Sequence, residues 1–103
     1  MGKLVRDRIP EIIRASGRTP SVQVLDTQDY EVALHDKLLE EAAELRAATN
    51  TDDLLCEAAD VLEVLLTVAA IHGFTLDDVA SAAERKAAER GGFGGRIWLA
   101  QID

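Results

Sequence analysis

A chain of 103 residues with 48% hydrophobic content accommodates one domain, 1–103, and supports a globular core rather than a disordered tail. Aromatic residues make up only 4%, so the interior must come from Leu, Val, Ile and Ala, which favours close-packed helices over a sheet sandwich. The formal charge of −8, from 11 Lys and Arg against 19 Asp and Glu, excludes general electrostatic attraction to long nucleic acid or to an anionic membrane.

In chain order, Leu4-Val5 is expected to be extended, and Pro10 followed by Glu11-Ile12-Ile13-Arg14 and then Gly17 predicts a short helix with proline at its start and glycine beyond its end. Ser21-Val22-Gln23-Val24-Leu25 alternates polar and apolar, predicting one short strand. Asp26 or Thr27 can cap a helix running to about Ala48, since Val32, Leu34, Leu38, Leu39, Ala42 and Leu45 recur with a helical rhythm. Thr51 with Asp52 and Asp53 gives a capped, acid-rich start to a second long helix ending at Gly73. Thr75 and Asp78 form the pattern of a capping box before a third helix, Leu76 to Arg90. Gly91-Gly92 ends it, and Phe93 to Leu99 reads as a loop followed by a short strand.

Each long helix would span roughly 30 Å. From Leu54 to Ile71 nearly every position except Glu57, Asp60, Glu63 and Thr67 is apolar, more than one face of a helix requires. Three acids within the segment argue against membrane insertion. The expectation is therefore an all-α antiparallel helix bundle, completed by association into a homodimer or homotetramer, with short extended segments near the termini. Cys56 is the sole cysteine and no basic-then-apolar leader opens the chain, so a cytoplasmic location is expected.

The charge is unevenly placed. Residues 1–18 hold five basic and two acidic side chains; residues 26–63 hold twelve acids against Lys37 and Arg46; residues 85–96 hold four bases against Glu89. Within the acidic centre, Glu41 and Glu44 are three apart, as are Glu57 and Asp60, so each pair projects from one helix face. A short connection near Asn50 makes the two helices antiparallel neighbours and lets both pairs face one space. Lys37 can pair with Glu41, but no Lys or Arg lies between Asp52 and Glu84 to neutralise Glu57 and Asp60 locally. An all-oxygen cluster suits Mg²⁺ or Mn²⁺; zinc would call for His or Cys, and His35 and His72 lack partners at such spacing.

The pattern Glu41-x-x-Glu44 followed by Glu57-x-x-Asp60 resembles the paired acidic motif of the MazG-like, all-α nucleoside triphosphate pyrophosphohydrolases, a superfamily that includes phosphoribosyl-ATP pyrophosphohydrolase. KLVRDRIPEII, KLLEEAAEL, EAADVLEVL and KAAERGGFGGRIWL resemble, in order, a subgroup of that superfamily described as house-cleaning pyrophosphatases. The resemblance implies Mg²⁺-dependent hydrolysis of a nucleoside triphosphate substrate to monophosphate and pyrophosphate. It implies Glu41, Glu44, Glu57 and Asp60 as metal ligands, and Glu40 beside Glu41 as catalytic residues, Glu40 positioning or deprotonating water. Such chemistry needs no covalent nucleophile, since metal ions offset phosphate charge and orient the phosphorus.

The basic flanks suit the phosphates. Lys86 and Arg90, four apart on one helix face, Arg96 after the glycines, and Arg6 in the opening segment are the candidate substrate contacts. Asp7 is expected to fix Arg6 or Arg8 in a structural ion pair. Gly91 to Gly95 is not a Walker loop, lacking its Gly-Lys-Ser/Thr ending. Cys56 is expected in the core and Trp98 as a packing anchor. Two alternatives stand beside the house-cleaning reading: phosphoribosyl-ATP hydrolysis in histidine biosynthesis, and a noncatalytic helical interaction module whose acids bind a structural cation.

Overall fold

In a computed structural model, residues 2–103 are described and form four helices, with no strand among them: α1 (Ile9–Ala15), α2 (Thr27–Ala47), α3 (Thr51–Ile71) and α4 (Leu76–Arg90). Three of the four helices start at a side chain that accepts from a free amide, and α1 has no such cap. Pro10 sits in the first turn of α1, where no amide donor is needed. The Asp26 carboxylate accepts from the Asp29 amide at 2.8 Å to open α2. Thr75 and Asp78 form the expected reciprocal box at α4, with the Thr75 amide donating to Asp78 at 2.8 Å.

The start of α3 differs by one residue from the sequence expectation. Asn50, rather than Thr51, is the cap: its side-chain oxygen accepts from the Asp53 amide at 2.9 Å, and its amide group donates to the Asp53 carboxylate at 2.9 Å. This doubly bonded turn fixes where α3 departs from α2. Asn50→Ala is expected to cost about 1 kcal/mol, read as a fall of about 4–8 °C in melting temperature, with Asn50→Gly costing less.

The α2–α3 hairpin is the body of the molecule. Ala48 to Asn50 connect the two 21-residue helices, which pack along their length. Glu31 near the start of α2 meets His72 at the end of α3 at 3.2 Å, so the helices run antiparallel. The seam buries Leu34 and Ala69, and also one charged residue, Glu41.

Four expectations are corrected. Ser21–Leu25 has no partner strand, and an isolated run of five residues cannot make ladder hydrogen bonds, so it remains irregular. The segment after Gly92 is likewise without strand. Cys56 is exposed on α3 and Trp98 is 89% exposed, so neither packs into a core of this chain.

The fold is open for its length. Its radius of gyration is 17.8 Å, against about 13 Å for a compact domain of 100 residues. α4 makes no packing with the hairpin comparable to that of α2 with α3. Leu55 and Leu62 on α3, and Val32 and Leu39 on α2, are exposed. No helix among the described residues is long and apolar enough to cross a membrane.

Candidate metal centre

On α2, residues 30, 34, 37 and 41 follow a helical stripe that ends in the acidic run Glu40-Glu41; on α3, residues 57, 60, 64 and 67 face it. Antiparallel pairing therefore brings Glu41 opposite Glu57 and Asp60. Ligand oxygens of Glu41, Glu57 and Asp60 lie within 4.8 Å of one another, and so do those of Glu40, Glu41 and Glu44. Glu41 belongs to both groups.

The two oxygens of Glu41 have different surroundings. Lys37 holds Oε1 at 3.4 Å and the Glu40 Oε1 at 3.3 Å. Glu41 Oε2 is buried with no hydrogen-bond partner, and Glu57 Oε2 shares that condition. A buried carboxylate oxygen left unpaired carries a desolvation cost that a bound cation removes. The donors are all carboxylate oxygens, the set a hard divalent cation takes. Burial first, and then the neighbouring Glu44 carboxyl, push the Glu41 carboxyl above its ordinary value, while Lys37 offsets part of the rise. Burial pulls the Lys37 ammonium down, but its hydrogen bonds to Glu40 and Glu41 outweigh this and raise it overall.

Arg6 reaches the same place from the other end of the chain. Its guanidinium donates to Asp60 at 2.7 Å and lies 2.8 Å from Glu63. Hydrogen bonds to Glu63 and then to Asp60 raise it above its ordinary value. Asp7 is thus not the partner of Arg6; two acids of α3 are. The cation that α3 lacks locally comes from a residue 54 positions earlier. Lys3 adds a longer contact to Glu40 at 4.0 Å.

The structure thus joins Glu40, Glu41, Glu44, Glu57, Asp60 and Arg6 in one neighbourhood. Lys86, Arg90 and Arg96 are exposed and lie outside the cavity beside the acids. Sequence reasoning placed Lys37 only as a helical pair of Glu41. Its position one turn before Glu40-Glu41 was the available signal for a site residue.

A helical hairpin with two facing acid pairs and no His or Cys donor is, as a class, a carboxylate cradle for a hard cation. The family model described as phosphoribosyl-ATP pyrophosphohydrolase matches residues 5–87, and the chain belongs to that family, within the MazG-like all-α superfamily. An uncharacterized protein of Mycolicibacterium smegmatis is 60% identical over 55 residues, which are 53% of this chain and 56% of the relative. The match thus spans little more than half of that curated relative. No solved structure matches the chain.

Proposed function

We propose that the protein is a Mg²⁺-dependent nucleoside triphosphate pyrophosphohydrolase, active also with Mn²⁺, that releases a monophosphate and pyrophosphate and clears noncanonical nucleotides. The observation that carries this reading is Glu41: buried, shared by both carboxylate groups and with one oxygen unpaired. Membership of a pyrophosphohydrolase family supports the reaction class.

Glu41, Glu44, Glu57 and Asp60 would hold the metal, which when bound neutralises phosphate charge and acidifies water. Lys37 keeps Glu40 and Glu41 in place through one oxygen of each. Glu40, half-buried beside Glu41, is the group to orient water or accept its proton. Arg6, held by Asp60 and Glu63 beside the acids, would offer its remaining N–H donors to a phosphate oxygen. Lys86, Arg90 and Arg96 serve the triphosphate if association brings α4 of one chain over the cradle of another.

That association is part of the proposal. The exposed leucines of α3 and the small core support a homodimer or homotetramer in which a second copy covers the apolar face.

The test is incubation with Mg²⁺ and a panel of canonical, oxidised, deaminated and methylated triphosphates together with phosphoribosyl-ATP, measuring pyrophosphate and monophosphate. Pyrophosphate release from a modified triphosphate, lost on Glu57→Gln with Asp60→Asn, is the expected result. Exclusive turnover of phosphoribosyl-ATP would move the assignment to histidine biosynthesis, and no release from any member would leave a noncatalytic cation-binding module.

A further inference from the structure

A cavity of about 470 Å³ adjoins the carboxylates, bounded by the α2–α3 seam and roofed by the segment from Leu4 to Arg8. Its character changes along the hairpin. At one end stand Lys37, Glu41, Asp60 and Glu63; at the other stand Tyr30, Leu34, Val64 and Thr67. The change follows from antiparallel register, since residues lower in number on α2 face residues higher in number on α3. Tyr30 lies seven residues before Lys37, roughly 10 Å along the helix axis at 1.5 Å per residue. Leu4 and Val5 add apolar surface to the roof, where Arg6 is tied to Asp60.

One concave space therefore offers charged groups suited to a metal and phosphates, and beyond them a half-buried aromatic ring with aliphatic walls and the hydroxyls of Tyr30 and Thr67. We infer that the Tyr30 end of this cavity is the subsite for the nucleoside half of the substrate, with the Tyr30 ring as the surface on which the base lies. The inference rests on the nucleotide reading above and adds to it the place where base identity is sensed. A phosphate-only ligand would have no use for the apolar end, whereas a base presents a flat face to an aromatic ring whatever its edge pattern. Thr67 donates its hydroxyl proton to the Glu63 carbonyl at 2.8 Å, so its remaining capacity at the cavity is as an acceptor. That favours bases presenting an N–H or amino group on the side facing α3.

Tyr30 is the sole tyrosine of the chain, so 3-fluorotyrosine labelling gives a single fluorine resonance. With Mg²⁺ present, titration by nucleoside monophosphates is expected to shift that resonance, while ribose 5-phosphate and inorganic pyrophosphate leave it in place. Tyr30→Ala is expected to weaken monophosphate binding about tenfold by calorimetry, with Mn²⁺ affinity unchanged and with Tyr30→Phe restoring most of the loss. A fluorine shift equally large with ribose 5-phosphate, or monophosphate affinity unchanged in Tyr30→Ala, would overturn the subsite. If Tyr30→Ala fails to fold, the fluorine titration of the otherwise unaltered chain decides alone. Hydrolysis without a fluorine response sinks the subsite and spares the hydrolytic reading; a fluorine response without pyrophosphate release does the reverse.

Discussion

Glu41→Gln is expected to lower pyrophosphate release on the order of a thousandfold or more, because it removes the one carboxylate common to both acidic groups. The same substitution is expected to stabilise the metal-free protein at neutral pH. In the folded chain Glu41 is pushed above its ordinary carboxylate value by burial and by Glu44, so the folded state holds that proton more tightly than the unfolded state does. Such a group favours folding most below the unfolded value. Its contribution is lost as pH rises through the raised folded value. Thermal melts in EDTA from pH 4 to pH 8 should therefore show Glu41→Gln gaining on the parent as pH increases. Added Mn²⁺ should reverse the order at neutral pH, stabilising the parent and leaving the variant unmoved. A variant less stable than its parent at every pH without metal would contradict the description of Glu41 as a buried acid with one oxygen unpaired.

The second large effect concerns α3. Leu55, 72% exposed, and Leu62, 47% exposed, are seven positions apart on an exposed face of α3. Leu55→Glu with Leu62→Glu is expected to convert the associated protein to monomer in light scattering, since each leucine contributes about 1.5–3 kcal/mol when fully buried. The melting temperature should fall with it, and activity should fall if α4 of a second chain supplies Lys86 and Arg90. A parent that is itself monomeric at micromolar concentration would sink the proposed association.

These two experiments also divide what was legible in the amino-acid order from what was not. That Glu41 faces Glu57 and Asp60, with Glu44 one turn on, was legible because a three-residue spacing on two adjacent helices is a local property, and the short link at Asn50 fixed their relative direction. The capping box at Thr75 was equally local. Asn50 carried a readable signal too, an acid three residues on, but Thr51 offered a competing one. Arg6 was named as a phosphate contact, yet its pairing with Asp60 and Glu63 depends on the path of residues 7–50 and has no local mark. The strand at Ser21–Leu25 failed because alternation specifies a surface, while a strand also needs a neighbour. Cys56 and Trp98 were expected to be covered, and within one chain nothing covers them.

The turn at Asn50 has one more consequence. Glu44 lies three residues before the end of α2, and Glu57 lies seven residues after the Asn50 cap, so the stretch between the two acid pairs works as a ruler whose zero is the turn. One residue added to α3 ahead of Glu57 would swing both its acids by about 100° out of the seam, and four would return them to within about 40° but displaced by roughly 6 Å. Chain length here is therefore discrete in its tolerance. The spacing between the acid pairs can change only together with the turn that sets it, whereas residues 16–25, ahead of the Asp26 cap, lie outside that register.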